Sequence, residues 1–441
     1  MGSRFDRTIA LALMAALAAC EAARSQATPF PEPTTVVTRP AAPPATAAAS
    51  PTPPPTEHTI GVRVRDGAGE FYSQLTGETF IPRGNNYIRL ERAWYPCIED
   101  SLPYHATFNV GAYDPELADA RLLAMNAAGY NIVRVFLNGN CLGRPDGGLN
   151  AEYVANVADY LQRAQAHDIF VLLTTDDPPV PGYSGTMKHS DTIDWANRQF
   201  LTADGMRANG RFWRDLILAL RRAGAPLEAV FSYQLRNEQF FMSNYPPFSL
   251  TTGEVTTGNG LTYDMADPGQ KKQMMEENIV YWVDGIRATI LEADPTALVS
   301  VGFFWPQEPH PARRGDTRWV TTAPVIRDSQ ADFIDLHLYP GWELNMQQYV
   351  DNFGMAGMQE KPIIMGEFGA ARGAFPSEAA AARALQHWQV ESCAHGFDGW
   401  LLWTYDTDEQ PDFYNARTGE GLISSALSPA ARPDPCSLPE E

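Results

Sequence analysis

Eight short apolar runs alternate along this chain with segments of helical period, and this alternation restricts the possible folds. The runs are Thr79–Asn85, Asn131–Leu137, Ile169–Thr175, Ala229–Leu235, Leu298–Phe304, Phe333–Leu338, Pro362–Met365 and Gly399–Trp403. Repeated strand–helix units build parallel sheets, because a strand needs a long crossover before the next strand can run in the same direction. Eight such units predict a closed (β/α)8 barrel, the TIM barrel of the α/β class.

Helical patterns occupy most of the intervals between these runs. The clearest are Pro115–Ala128, Ala151–His167, Met206–Ala223, Lys271–Ala293 and Ser377–Ala394. The interval after the fifth run is weakly helical, and the last pattern, near Leu422–Ala431, is short.

A hairpin pattern precedes the first of the eight runs. Ile60–Arg65 alternates apolar and polar residues, Asp66-Gly67 is a turn dipeptide, and Glu70-Phe71-Tyr72 follows. Because the wall of a parallel barrel has no place for a hairpin, we expect this N-terminal β-hairpin at the bottom of the barrel, where the strands begin.

The N-terminal segment resembles an export signal. Two arginines precede the apolar run Ile9–Ala19, which is too short to span a bilayer. The run ends in Leu-Ala-Ala-Cys, similar to a bacterial lipobox, so residues 1–20 are predicted to be a lipoprotein-type signal peptide with Cys20 lipidated. The alternative is an ordinary signal peptide cleaved near Ala23 or Ala27. We expect export in either case, as a lipoprotein of the bacterial outer membrane or periplasm or as a secreted protein.

Residues 21–57 are rich in Pro, Ala and Thr. Such a segment cannot bury enough apolar surface to fold, so we interpret it as a disordered linker. Residues 58–441 then form one domain, which we expect to be monomeric. The formal net charge of −20 argues against nucleic acid and anionic membrane surfaces as partners. Membrane contact is therefore expected only through a lipid on Cys20.

Export permits disulfides among the four remaining cysteines, Cys97, Cys141, Cys393 and Cys436. Four cysteines allow three pairings. In the barrel, Cys97 and Cys141 would follow neighbouring strands at the top, and the other two would lie near the bottom. The predicted bonds are Cys97–Cys141 and Cys393–Cys436.

Two of the apolar runs deliver a carboxylate at their C-terminal ends. The fourth continues into Arg236-Asn237-Glu238, and the seventh into Gly366-Glu367. In a parallel barrel the C-terminal strand ends form one cleft. Two carboxylates facing one cleft are what glycosidic bond hydrolysis requires.

Other strand ends carry candidate functional side chains. Arg134 lies within an apolar run and needs a carboxylate partner, either at the site or in a structural ion pair elsewhere. His337 and Tyr339 lie on one side of the sixth strand, although a single histidine is commonly a core residue. Trp403 ends the eighth strand. Long loops follow strands one, three, four and five; aromatic residues in them, such as Trp305, either pack the loops or stack on sugar rings.

The series Arg134, Asn237-Glu238, His337-Leu338-Tyr339, Glu367-Phe368-Gly369 and Trp403 resembles glycoside hydrolase family 5 and its clan A relatives, over about Gly61 to Gly421. The resemblance implies a retaining β-glycosidase with Glu238 as acid/base and Glu367 as nucleophile. It implies that Asn237 binds the sugar 2-hydroxyl, that Tyr339 bonds the nucleophile and that Trp403 lies under the sugar. Arg134 and His337 would support the carboxylates.

Two segments, Phe80–Tyr87, which contains Asn86, and Leu172–Asp177, which contains Asp176, are similar to the mannanase-like branch. The expected substrate is therefore a β-linked oligo- or polysaccharide of the β-mannan or β-glucan type. The chain departs from the family where many members carry a histidine near the end of strand three, and Gln239 stands where many have proline. The first departure affects the pocket that receives the sugar being cleaved.

In the mechanism so implied, Glu367 is ionised, and we expect Arg134 and Tyr339 to lower its pKa. Glu238 first donates a proton and then accepts one from water. No metal or other cofactor is expected, since the sequence shows no His or Cys cluster at ligand spacing. The alternative from another class is a non-catalytic carbohydrate-binding surface lipoprotein on the same barrel. Retention of both carboxylates argues against it.

Overall fold

The computed structural model describes residues 58–91, 97, 104–307, 310, 313–341 and 344–438. The predicted signal peptide 1–20, the lipidation site Cys20 and the predicted linker 21–57 lie outside the described residues. Within the described residues no helix has the length and apolar character needed to cross a membrane.

Strands in the described residues include two long antiparallel ones, eight parallel ones and several short pairs. In chain order they are β1 (Ile60–Arg65), β2 (Ala68–Ser73), β3 (Arg83–Asn86), β4 (Leu90–Glu91), β5 (Tyr104–His105), β6 (Ile132–Leu137), β7 (Phe170–Thr175), β8 (Val230–Gln234), β9 (Phe241–Met242), β10 (Glu254–Thr256), β11 (Thr262–Asp264), β12 (Val299–Phe303), β13 (Arg318–Trp319), β14 (Phe333–His337), β15 (Ile363–Phe368), β16 (Ala370–Ala371), β17 (Gly399–Leu402) and β18 (Phe413–Tyr414).

Eight of these strands close a parallel barrel in the order β3-β6-β7-β8-β12-β14-β15-β17, with β17 pairing back to β3. Each lies within or beside one of the eight predicted runs, so the TIM barrel is confirmed. β15 continues to Phe368, past the predicted end at Met365, and its register shifts against both neighbouring strands. A bulge of this kind re-aims the side chains that follow it, and Glu367 is one of them.

Helices surround the barrel: α1 (Pro115–Ala127), α2 (Gly139–Leu142), α3 (Ala151–Ala166), α4 (Trp195–Leu201), α5 (Ala203–Arg222), α6 (Pro268–Ala293), α7 (Ala323–Asp328), α8 (Met346–Phe353), α9 (Glu378–Cys393) and α10 (Leu422–Leu427). Short 3-10 turns lie at Ser184–Thr186 and Leu227–Ala229. The helix after the fifth barrel strand, α7, has six residues, which explains its weak sequence signal.

The N-terminal hairpin, β1 and β2, packs under the barrel. Phe71 of β2 contacts Phe231 and Phe333, with ring centroids 5.3 and 5.2 Å apart. These aromatic residues belong to one buried apolar cluster with Ile132, Leu172, Leu298, Ile364 and Leu401. The cluster lies at the N-terminal ends of the barrel strands, so the hairpin closes the bottom of the barrel as expected.

Two disulfides are present, Cys97–Cys141 and Cys393–Cys436, the pairing that the sequence predicts. Cys141 belongs to α2, just after β6 at the top of the barrel, and Cys393 ends α9. One bond therefore secures a top loop, and the other joins the C-terminal segment to a helix.

Candidate active site

Two glutamates meet at the C-terminal end of the barrel. Glu367 is near the end of β15, and Glu238 lies four residues beyond the last residue of β8. One carboxylate oxygen of each, together with a ring nitrogen of His337, lie within 4.8 Å of one another. The Glu367 side chain is 5% exposed and that of Glu238 is 22% exposed. One carboxyl is thus enclosed and the other opens towards the cleft.

Glu367 is held by two donors. Arg134 Nη1 donates to Glu367 Oε1 at 2.8 Å, and the Tyr339 hydroxyl donates to Oε2 at 2.7 Å. Burial and the Glu367 charge raise the pKa of Tyr339 well above its ordinary value, so this hydroxyl remains a donor.

The expected lowering of the Glu367 pKa is wrong in its net direction. Burial raises the pKa of Glu367 above its ordinary value, against the opposing charges of His337 and Arg134. The donors identified from the sequence do act in the expected sense, but removal from water outweighs them. Sequence patterns do not report how completely a strand end is enclosed.

Arg134 is fully buried and is the centre of a hydrogen-bond network. Besides Glu367, its guanidinium donates to Asn86 Oδ1 at 2.9 Å, to Asn237 Oδ1 at 2.5 Å and to Gln234 Oε1 at 2.8 and 3.1 Å. Asn86 in turn donates to the Gly366 carbonyl at 2.8 Å. The network fixes the guanidinium between the strand that carries Glu367 and the segment that leads to Glu238.

His337 lies between the two glutamates. Its Nδ1 is 2.9 Å from Glu238 Oε1 and 3.5 Å from Glu367 Oε2. Burial opposes its charge, but Glu367, Asp335 and Glu238 together raise the pKa of His337 to about 10. The ring is therefore an imidazolium at neutral pH, and both of its nitrogens carry protons.

Glu238, His337 and Glu367 form the group in the described part of the chain whose ligand atoms are close enough for a metal ion. Two carboxyls and a cation at this spacing are suited to nucleophilic attack with proton transfer.

Asn237 and Asp176 line the same cleft. Asn237 Nδ2 donates to Asp176 Oδ1 at 3.2 Å, and His105 Nε2 is 3.6 Å from Asp176 Oδ2. Burial lowers the pKa of His105 to about 4, and its ring stacks on Phe136 with centroids 3.9 Å apart. The carboxylate of Asp176 thus stands beside the amide that the family resemblance assigns to the sugar.

Of the two predicted tryptophans, Trp403 lies closer to this network. It follows β17 directly and packs edge-on against Phe136, with centroids 5.9 Å apart, while its Nε1 donates to Gln410 at 2.8 Å. Trp305 follows β12, where it stacks on His310 and its carbonyl accepts from Arg313. These contacts fix the position of Trp305 beyond β12.

Arg236, for which the sequence favours a structural ion pair over a role at the site, pairs with Asp177 and donates to the Glu238 carbonyl at 3.0 Å. Sequence reasoning missed Gln234 and Asp335, both fully buried polar residues within strands. The sequence does carry a signal for Asp335, which lies inside the apolar run Phe333-Ile334-Asp335-Leu336. Arg134 was selected because a charged residue inside an apolar run needs a partner, and the same argument holds for Asp335.

Comparisons with known proteins identify the family of this chain. A family model described as cellulase (glycosyl hydrolase family 5) matches residues 98–409. No curated protein matches the chain.

Among solved structures, the chain is similar to the endo-1,4-β-mannanase from Rhizomucor miehei, with a TM-score of 0.56, 16% identity and coverage of 84% of this chain and 98% of that one. The exo-β-1,4-mannosidase from Opitutaceae bacterium strain TAV5 gives a TM-score of 0.54 at 17% identity, with coverage of 84% of this chain and 62% of that one. An endocellulase from Pyrococcus horikoshii in complex with cellotetraose gives a TM-score of 0.51 at 15% identity, with coverage of 85% of this chain and 100% of that one. At these identities the likeness concerns the fold.

Proposed function

This chain belongs to glycosyl hydrolase family 5 and is a glycosidase that hydrolyses O-glycosyl bonds, and from that premise we propose that it is a retaining enzyme with Glu367 as nucleophile and Glu238 as acid/base. The proposed substrate is a β-linked oligo- or polysaccharide of the β-mannan or β-glucan type. Residues 58–441 would be the catalytic domain.

The separation of the two carboxyls carries the proposal. Retaining glycosidases hold them roughly 5–5.5 Å apart, whereas inverting enzymes need about 6.5–9.5 Å to admit a water molecule. In this chain a carboxylate oxygen of Glu238 lies within 4.8 Å of one of Glu367. This short separation supports the retaining arrangement over the inverting one.

In the first step, a Glu367 oxygen attacks the anomeric carbon and the bond from that carbon to the leaving oxygen breaks. The leaving oxygen takes the proton of Glu238, and a glycosyl ester with inverted configuration forms on Glu367. Arg134 and Tyr339 hold the attacking carboxylate in place through their hydrogen bonds.

In the second step, water gives a proton to Glu238 and attacks the same carbon. The ester bond breaks, Glu367 regains its negative charge, and the original anomeric configuration is restored. The 22% exposure of the Glu238 side chain suits this role, because water and the leaving group must both reach it.

The nature of the sugar is supported by the site and by the names of similar proteins. Asn237 would bind the 2-hydroxyl, with Asp176 accepting from a neighbouring hydroxyl and Trp403 under the ring. The mannanase, mannosidase and endocellulase among the similar structures favour β-1,4-linked mannose or glucose units.

Two measurements test the reaction. Proton NMR of the first product formed from an aryl β-glycoside should show the β-anomer, and an initial α-anomer would contradict the retaining mechanism. A 2-deoxy-2-fluoro glycosyl fluoride should label Glu367, identified by peptide mass spectrometry. Labelling of a different carboxylate would overturn its assignment as nucleophile.

We also propose that the protein is exported as a monomeric lipoprotein with Cys20 as the anchor. Mass spectrometry of the mature N-terminal peptide tests this. Acylated Cys20 is the expected result, while an unmodified peptide beginning near residue 24 or 28 would indicate ordinary signal cleavage.

A further inference from the structure

We propose that Asp335 is a positioning residue for both glutamates: it is a permanent buried counter-charge for His337 and, through Gln234, for Arg134. This inference rests on the proposed function, since it takes Glu238 and Glu367 as the reacting groups. Asp335 itself touches neither of them.

The contacts of Asp335 account for both of its oxygens. The side chain is fully buried. Its Oδ1 accepts from the Gly366 backbone N–H at 2.7 Å, and its Oδ2 accepts from Gln234 Nε2 at 2.6 Å. His337 Nε2 and Arg134 Nε each lie 3.6 Å from Oδ2. The carboxylate thus contacts the residue before the nucleophile and faces two cations.

Gly366 leaves room for this carboxylate. A Cβ atom at position 366 would lie 2.0 Å from Asp335 Oδ1 and 2.1 Å from Oδ2, so any residue other than glycine would force this carboxylate to move. The residue preceding Glu367 and the carboxylate of the neighbouring strand are therefore sterically matched. The hydrogen bond from the Gly366 N–H therefore ties Asp335 to the backbone that carries Glu367.

Gln234 transmits the charge of Asp335 to Arg134. The guanidinium donates twice to Gln234 Oε1, so the amide nitrogen must point the other way. That nitrogen donates to Asp335, which therefore acts as an acceptor. Although burial disfavours its ionisation, His337, Arg134 and Gln234 keep the pKa of Asp335 below its ordinary value.

Charge balance explains why a second buried anion is needed. Arg134 and His337 are cations; Glu367 and Asp335 balance them while Glu238 is protonated. When Glu367 becomes an ester, Glu238 ionises, and Asp335 with Glu238 again balances two cations. The titratable groups that face His337 are Glu238, Glu367 and Asp335. Arg134 lies near the same Asp335 oxygen, and the Tyr339 hydroxyl donates to the Glu367 oxygen that His337 approaches. Of the three carboxyl neighbours of His337, only Asp335 takes no part in the chemistry.

The first test uses the unaltered protein. The ring nitrogens of His337, assigned by their loss in His337→Gln, are followed by long-range proton–nitrogen NMR over pH. We expect His337 to remain an imidazolium at about pH 8, because its pKa is raised to about 10. A neutral His337 ring at about pH 7 would overturn the proposal, and this measurement needs no altered Asp335.

The second test compares Asp335→Asn with Asp332→Asn, the same change at the residue that precedes the strand. Asp332 pairs with Arg287 at 2.8 Å. For Asp335→Asn we expect kcat to fall about 10- to 100-fold, KM to change little, and His337 to lose its proton at lower pH. For Asp332→Asn, kcat and the His337 titration should match wild type.

If Asp335→Asn left both kcat and the His337 titration unchanged, the positioning role of Asp335 would be refuted, and the proposed function would not be affected. If Glu367→Gln and Glu238→Gln kept full activity, the proposed function would be wrong, while the His337 spectra would still report on Asp335. The two failures are therefore distinguishable.

Discussion

The two ends of the barrel are built from the same strands but are filled differently. β14 starts with Phe333 in the apolar bottom cluster and ends with His337 between Glu238 and Glu367. β15 has Ile364 at the bottom and Glu367 at the top. A distance of three or four residues along one strand separates the apolar cluster from the charged network.

The difference shows two ways to fill a barrel interior. At the bottom, apolar side chains need only shape and volume, because the hydrophobic effect has no direction. At the top, every charge needs a partner, since an unpaired buried charge costs several kcal/mol. We therefore expect the bottom to supply stability and the top to supply chemistry, and each prediction below tests that division.

Glu367→Gln should give the largest effect, with turnover reduced by more than about 10³-fold. Glu238→Gln should lower it by about 10²- to 10⁴-fold on substrates with poor leaving groups. Thermal melting of Glu367→Gln should be at or above wild type, since the amide removes a carboxylate that burial disfavours. The exposed Glu360→Gln is the control. Loss of folding in Glu367→Gln would show that the top also stabilises the barrel.

Phe71→Ala should destabilise the protein by about 3–5 kcal/mol, because it empties the centre of the bottom cluster. Urea unfolding measures the change, and Val64→Ala, at a position that is 57% exposed, is the control. Below the unfolding transition, kcat and KM should stay at wild-type values. A lowered kcat in the folded variant would mean that the two ends are coupled.

The two disulfides provide a matched pair, with sequence separations of 44 and 43 residues. Chain entropy predicts similar losses of about 2–4 kcal/mol when either is removed. Replacing Cys97 and Cys141 by serine should also lower kcat/KM, since Cys141 lies at the top of the barrel. Replacing Cys393 and Cys436 should leave kcat/KM unchanged, and equal effects on activity would contradict the comparison.

The smallest expected effect is a shift in the pH dependence of kcat/KM. Because burial raises the pKa of Glu367 above 4.5, the acid limb of kcat/KM should lie above that pH. Tyr339→Phe removes a donor to the carboxylate and should move the limb up by about one unit. A limb at or below 4.5 in wild type would refute the raised pKa.

The raised pKa of Glu367 also makes the free energy of unfolding depend on pH. The folded enzyme holds the Glu367 proton more tightly than the unfolded chain does. The stability contributed by this protonation is therefore lost as pH rises through the raised pKa of Glu367 in the folded enzyme. Glu367→Gln should remove that component of the pH dependence of unfolding.

The sequence was sufficient to predict the barrel and most of the residues that meet at its top. Glu238, Glu367, Arg134 and His337 are polar or charged residues at the ends of, or within, apolar runs, and parallel topology brings such positions together. Asp335 and Gln234 carry the same signal, but which polar residues inside a strand face one another depends on register across neighbouring strands.

The sequence by itself determined the order of strands and helices, the hairpin under the barrel and the side chains available at the strand ends, because these follow from periodicity along the chain. Only the tertiary structure decided the net direction of the Glu367 pKa, the fit of Gly366 against Asp335 and the ion pair of Arg236 with Asp177. Enclosure and cross-strand register involve residues far apart in the chain, so no local pattern encodes them.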